Sequence, residues 1–431
     1  MKIAYISAGS AGMYCGSCIH DNTLASALME LGHDVALIPT YTPMRTDEDS
    51  VAMEKIFFGG INIYLQHKSS IFRHMPRFLE RWLNSPKLLK YVSRFAGSTN
   101  AHDLGGLTAD MLHGEAGHLK RELDELTGWL RDEYRPDIIV LTNSMLLGLA
   151  RQLRKECGVP VLCELQGEDI FIDDLIEPYK SEVMKELYER SRDVDGFIAT
   201  SEYYADYMAE YLHAPRERVH IVPLGIHLEG HGQHIGPGRG QEDLFTIGFL
   251  ARVCPEKGLH LLAEAFRILA EKLGRERVRL RAAGWLGEKD RPYLEELEQK
   301  IESWGLGDGY DYAGEVDRQQ KIAFLSEVDV LCVPTVYREP KGLFALEALA
   351  NGTPVVLPDH GALPELVDRT RGGILVKPND PASIAAGLES LYHDPARREV
   401  LARQGRLAVH QSYSARTMAE NTAKVFKRFV G

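Results

Sequence analysis

At 431 residues the chain is long enough for two or three domains, and its 44% apolar content is ordinary for full hydrophobic cores. A formal net charge of −12 excludes general nucleic-acid binding. Six scattered cysteines, Cys15, Cys18, Cys157, Cys163, Cys254 and Cys332, exclude a disulfide scaffold, and no run reaches the roughly 18 to 20 apolar residues of a membrane span. The N-terminal apolar run is too short and too interrupted for a signal peptide, so the expectation is a cytoplasmic protein, at most peripheral at the inner face of a membrane.

Short apolar runs alternate with helical patterns. IAYI is followed by a helix through NTLASALMEL and then by DVALIP. DIIVLT, VPVLCEL, GFIATS and VHIVPLG follow, separated by helices through MLLGLARQLRKE, EVMKELYERS and YYADYMAEYL. Apolar strands bounded by Gly, Pro and Asp, each followed by a helix, predict a parallel sheet wrapped on both faces. The alternation stops at EGHGQHIGPGRGQED, a linker over 229–243. It restarts with LFTIGFL, GLHLLAEAFRILAEKL, VRLRAAG, PYLEELEQKIESW, VDVLCVP, LFALEALANG, TPVVLP and GILV.

The fold class is therefore α/β, with two Rossmann-like, doubly wound domains facing across a cleft. The first spans 1–228, with an inserted helical segment near 67–120, and the second spans 244–412. A C-terminal helix over 413–431 crosses back to the first domain. Open α/β sheets bind ligands outside the carboxyl ends of their strands, so two of them suit a two-substrate transfer enzyme.

Within the insert, Lys68, Arg73, Arg77, Arg81, Lys87, Lys90 and Arg94 interleave with Phe72, Phe78, Trp82, Tyr91 and Phe95. That pattern over 67–95 fits either a helical pair packed on the first domain or a basic face against an anionic membrane or acceptor. The stretch HDLGGLTADMLHGEAGH, with His113 and His118, is left unplaced.

Two motifs carry chemistry. After LFTIGFL, Arg252 and Lys257 stand five apart across a turn, a fork and a point charge suited to a diphosphate or, more plainly, to a solvated turn. Glu339 and Glu347 stand eight apart. Glu347 lies among Leu, Phe and Ala, where a carboxylate needs a partner such as a ribose diol. Between them Gly342 opens a helix whose Leu343 and Phe344 amides could receive phosphate oxygens.

These residues, with the Gly361-x-x-Pro364-Glu365 turn, resemble the retaining glycosyltransferases of the GT-B fold, family 4. The likeness runs from the second domain's motifs to its end. It implies a hexosyltransferase that needs no cofactor and takes a nucleotide-diphosphate sugar (UDP-, GDP- or ADP-sugar) to an unidentified acceptor. Glu339 would meet the donor sugar, Glu347 the ribose, and Arg252 and Lys257 the diphosphate. The resemblance places CGS, with Gly16, on the family's Gly-Gly loop, whose amides face the diphosphate across the cleft. Cys15 and Cys18 then read as loop residues, a redox pair and half of a zinc site being the alternatives. Where many family members carry histidine this chain has Gln166, followed by Gly167, Glu168 and Asp169. Glutamine can bond a sugar hydroxyl but cannot titrate. The rival readings are a non-catalytic sugar-nucleotide-binding protein and a GT-B-type epimerase.

Overall fold

The computed structural model describes residues 1–9, 16–42, 44, 46–53, 57, 101–232 and 244–431. Cys15, the basic stretch 67–95 and linker residues 233–243 lie outside them. The chain forms two compact units, Met1–Gly225 with Ala415–Gly431, and Ile226–Ser414. No helix of the described residues is long and apolar enough to cross a membrane.

The first unit holds six parallel strands: β1 (Lys2–Ser7), β2 (Asp34–Pro39), β3 (Ile138–Leu141), β4 (Val161–Glu164), β5 (Gly196–Ala199) and β6 (Val219–Ile221), ordered β2-β1-β3-β4-β5-β6. Successive side chains of a strand point to opposite faces, and here both faces are covered. Ile3, Tyr5, Ile138 and Val140 pack beneath the helices Gly16–Glu30 and Ala415–Val430. Ala4, Ile6, Ile139 and Leu141 join the opposite core. That is why β1 and β3 read as unbroken apolar runs rather than alternating ones. The unplaced stretch forms a helix, Ala101–His113, packed on the helix Tyr179–Arg190.

The second unit holds β7 (Phe245–Leu250), β8 (Val278–Ala283), β9 (Tyr310–Tyr312), β10 (Val330–Cys332), β11 (Val355–Pro358) and β12 (Gly373–Val376), ordered β12-β11-β10-β7-β8-β9. β9 has no counterpart among the expected strands. It is a three-residue, half-buried edge that pairs with β8 alone, so its sequence carries no apolar run. The chain runs outward from β7 through β8 to β9, then returns to β10 on β7's other side. The gap between the β7 and β10 loops is thus the point where strand order reverses, the place in such sheets where ligands bind.

Candidate active site

Lys257 comes from the loop after β7 and Glu339 from the loop after β10, so the two motifs meet at that reversal point. The Lys257 ammonium donates to Glu339 Oε2 at 2.7 Å, and their side chains are 16% and 7% exposed. Tyr337 completes the contact: its hydroxyl donates to Glu339 Oε2 at 2.7 Å and accepts from Lys257. The backbone amides of Lys341 and Gly342 lie 3.3 Å from the other carboxylate oxygen. Burial alone would raise the Glu339 carboxyl. Lys257 above all, with the Tyr337 hydroxyl and the Gly342 amide, outweighs burial and holds it down at about 2. Burial opposes the Lys257 charge in the same way, and Glu339 and Tyr337 reverse that and raise it.

Two glycines bring these loops together. Gly258 has φ +77°, and a Cβ there would lie 1.9 Å from the Pro334 carbonyl oxygen. Beside it, the Val336 amide donates to the Glu256 carbonyl at 2.8 Å, so the β7 and β10 loops are clamped directly under Lys257. Gly361, with φ +65°, presses on the Glu339 backbone, and the Ala362 amide donates to the Glu339 carbonyl at 2.8 Å. The Gly361-to-Glu365 turn is therefore a backbone support for Glu339. Gly258→Ala combines a left-handed backbone with a backbone clash. It should cost about 2 kcal/mol and lower the melting temperature by about 5 °C. An unchanged melting temperature would show that the clamp is slack.

Glu347 is buried, as its apolar neighbours imply, and its partner in this structure is the buried Lys321 ammonium of the helix Arg318–Glu327. Sequence reading missed Lys321. Its 26-residue separation from Glu347 gives no periodic signal, and Lys321 follows Asp317, Arg318, Gln319 and Gln320, so nothing local marks it as buried. Gly342 precedes the helix Leu343–Ala350, and its carbonyl accepts from Ala345 at 3.0 Å and Leu346 at 3.2 Å. Leu343 and Phe344 are thus first-turn residues, whose amides have no carbonyl to meet within their own helix. Arg252 is half-buried in the β7 loop, and its Nε donates to Cys254 Sγ at 3.3 Å.

In the first unit Gln166 follows the end of β4 and is 6% exposed. Its amide nitrogen donates to Asp21 Oδ1 at 2.7 Å and to Glu164 Oε2 at 3.0 Å. Tyr5 donates to Glu164 Oε1, Ser7 to Asp21 Oδ2 at 2.8 Å, and His20 Nε2 lies 3.2 Å from Glu164 Oε2. Burial pushes the Asp21 carboxyl up to about 6, although His20 pulls the other way. His20, Asp21 and Glu164 bring potential metal-ligand atoms within 4.8 Å of one another, without a cysteine. All four carboxylate oxygens already accept hydrogen bonds, while the buried His20 Nδ1 meets no hydrogen-bond partner among the described residues. The Asp21 and Glu164 contacts were not foreseen. Glu164 lies in an apolar run, a signal of the same kind as that at Glu347, whereas Asp21 stands between His20 and Asn22 and gives no such signal.

Glu168 accepts from the Gln166 and Ser144 amides at 2.7 and 2.9 Å, which occupies both its oxygens. Asp169 accepts from Tyr204 at 2.6 Å, and burial raises its carboxyl to about 6 against that bond. Gly16 opens the helix Gly16–Glu30, and a Cβ there would meet no described atom within 4 Å. Packing among the described residues therefore does not require glycine at that position. Cys18 is buried inside that helix, and neither it nor Cys157, Cys163, Cys254 or Cys332 forms a disulfide among the described residues.

Two family models match the chain: a glycosyl transferase 4-like domain over residues 22–225 and glycosyl transferases group 1 over residues 236–408. An uncharacterized glycosyltransferase of Methanocaldococcus jannaschii is 33% identical over 187 residues, 43% of this chain and 46% of that protein. The mannosylfructose-phosphate synthase of Agrobacterium fabrum is 27% identical, over 53% of this chain and 50% of that one. The chain thus spans about half the length of these relatives. Among solved structures, sucrose-phosphate synthase from Thermosynechococcus elongatus superposes with TM-score 0.72 at 18% identity, over 99% of each chain. Anabaena HepE in complex with UDP and glucose gives 0.68 at 16% identity, also over 99% of each.

Proposed function

Since the chain belongs to the group 1 glycosyltransferases of GT-B type, we propose that its C-terminal unit binds a nucleotide-diphosphate sugar, and that the enzyme is a hexosyltransferase of the family 4 kind passing the sugar to an acceptor hydroxyl with retention. The observation that carries this reading is the buried Lys257–Glu339 pair at the strand-order reversal of the second sheet. Arg252, Lys257 and the Leu343 and Phe344 amides supply positive charge to the diphosphate. Glu339 takes sugar hydroxyls, and Glu347, steadied by Lys321, takes the ribose diol. UDP is the first base to test, because HepE is solved with it.

In the transfer, the bond from the sugar's anomeric carbon to the diphosphate oxygen breaks. A bond to the acceptor oxygen forms on the same face, and the acceptor's proton passes to the departing phosphate. Charge stabilisation and positioning carry such a step. Inversion would need a general base on the opposite face. Glu168, with both oxygens given to backbone amides, is poorly suited to that task, and Gln166 cannot titrate. Gln166 instead holds Asp21 and Glu164 in place at the end of β4.

Proton NMR of freshly formed product tests retention. An α-linked donor should give an α-linked product, read from the coupling constant of the new anomeric centre. A β-linked product would overturn the mechanism and point to Asp169 as the base.

A further inference from the structure

The Lys257–Glu339 pair raises a problem for donor binding. A buried carboxylate left without its cation is costly, yet a diphosphate needs that same ammonium. An ammonium has three donors. One is directed at Glu339 Oε2 and one at the Tyr337 hydroxyl oxygen. The Tyr337 proton goes to Glu339 Oε2 at 2.7 Å, so a single hydroxyl both receives from the lysine and gives to the carboxylate. Its backbone is fixed from both sides, by the Val336–Glu256 and Ala362–Glu339 hydrogen bonds, each 2.8 Å.

We propose that Tyr337 is a positioning residue of the donor site, whose hydroxyl keeps Glu339 satisfied while Lys257 turns part of its charge to the donor diphosphate. This rests on the reading of the site given above. With the hydroxyl present, Glu339 retains Tyr337 and the Lys341 and Gly342 amides when the diphosphate draws on the lysine. Without it, the carboxylate depends more on Lys257, and the donor must compete harder for the ammonium.

The test is Tyr337→Phe, which keeps the ring and deletes the hydroxyl. UDP-glucose, GDP-mannose and ADP-glucose are supplied in turn without acceptor, and release of nucleoside diphosphate by transfer of the sugar to water is followed. With the donor that the wild-type protein turns over, KM should rise about tenfold, the scale of one hydrogen bond to a charged group, with kcat within threefold and the melting temperature within about 2 °C. An unchanged KM would overturn the proposal. So would a tenfold loss accompanied by a melting temperature lowered by 5 °C or more, which would mark the hydroxyl as structural. Lys257→Ala is measured beside it. Wild-type turnover in that variant would overturn the site reading itself, and this proposal with it.

Discussion

Lys257→Ala should lower sugar transfer at least a hundredfold while the protein stays folded. The ammonium is buried against Glu339, Tyr337 and the ring of Phe344, whose centroid lies 5.6 Å away. In such a site a fixed charge acts on a developing phosphate charge with little screening and no reorganisation. Losing it should cost about 3 kcal/mol of transition-state stabilisation, roughly a hundredfold or more in rate. Steady-state turnover, paired with a thermal melt to verify folding, checks this. Turnover within threefold of wild type in a folded variant would remove Lys257 from the chemistry.

Glu339→Gln should be comparably severe, and it carries a second signature. The amide keeps the shape of the carboxylate but leaves Lys257 without its countercharge, so turnover should again fall about a hundredfold. The wild-type carboxyl sits at about 2 in the folded protein against an ordinary 4.5. Its ionised form therefore stabilises the fold above pH 4.5, and that contribution, about 3 kcal/mol, is lost as pH falls from 4.5 toward 2. The glutamine variant has no such proton to take up. Its stability should decline less steeply than wild type over that window in acid-dependent unfolding. Parallel curves would mean that Glu339 is not held ionised by its partners.

Much of this was readable from the residues. The buried strands announce themselves because a parallel sheet covered on both faces demands unbroken apolar runs, as in β1 and β3. β9 does not, being a half-buried edge of Tyr, Asp and Tyr. Arg252, Lys257 and Glu339 stand out in the sequence as charges in loops after apolar strands, and Glu347 as a carboxylate on an apolar helix. The partners themselves were not. Lys321 and Glu347 meet across 26 residues, and Gln166 and Asp21 across 145, so their pairing depends on strand order, which no local pattern reveals. Tyr337 was nearer to view. It stands two residues before Glu339 in one loop, and its contact with both charges depends on the clamp that Gly258 makes beneath them.

The most direct measurement is a thermal-shift and calorimetric titration of the wild-type protein and Lys257→Ala against UDP, GDP, ADP and their sugar esters. The central claim is that the second unit binds a nucleotide-diphosphate sugar through the Lys257–Glu339 site. One base series should therefore stabilise the wild type by about 2.7 kcal/mol at a hundredfold excess over Kd, and Lys257→Ala should lose most of that gain. A folded wild-type protein whose melting temperature is unmoved by any of these compounds at millimolar concentration, or a Lys257→Ala variant that binds them equally well, would contradict the account.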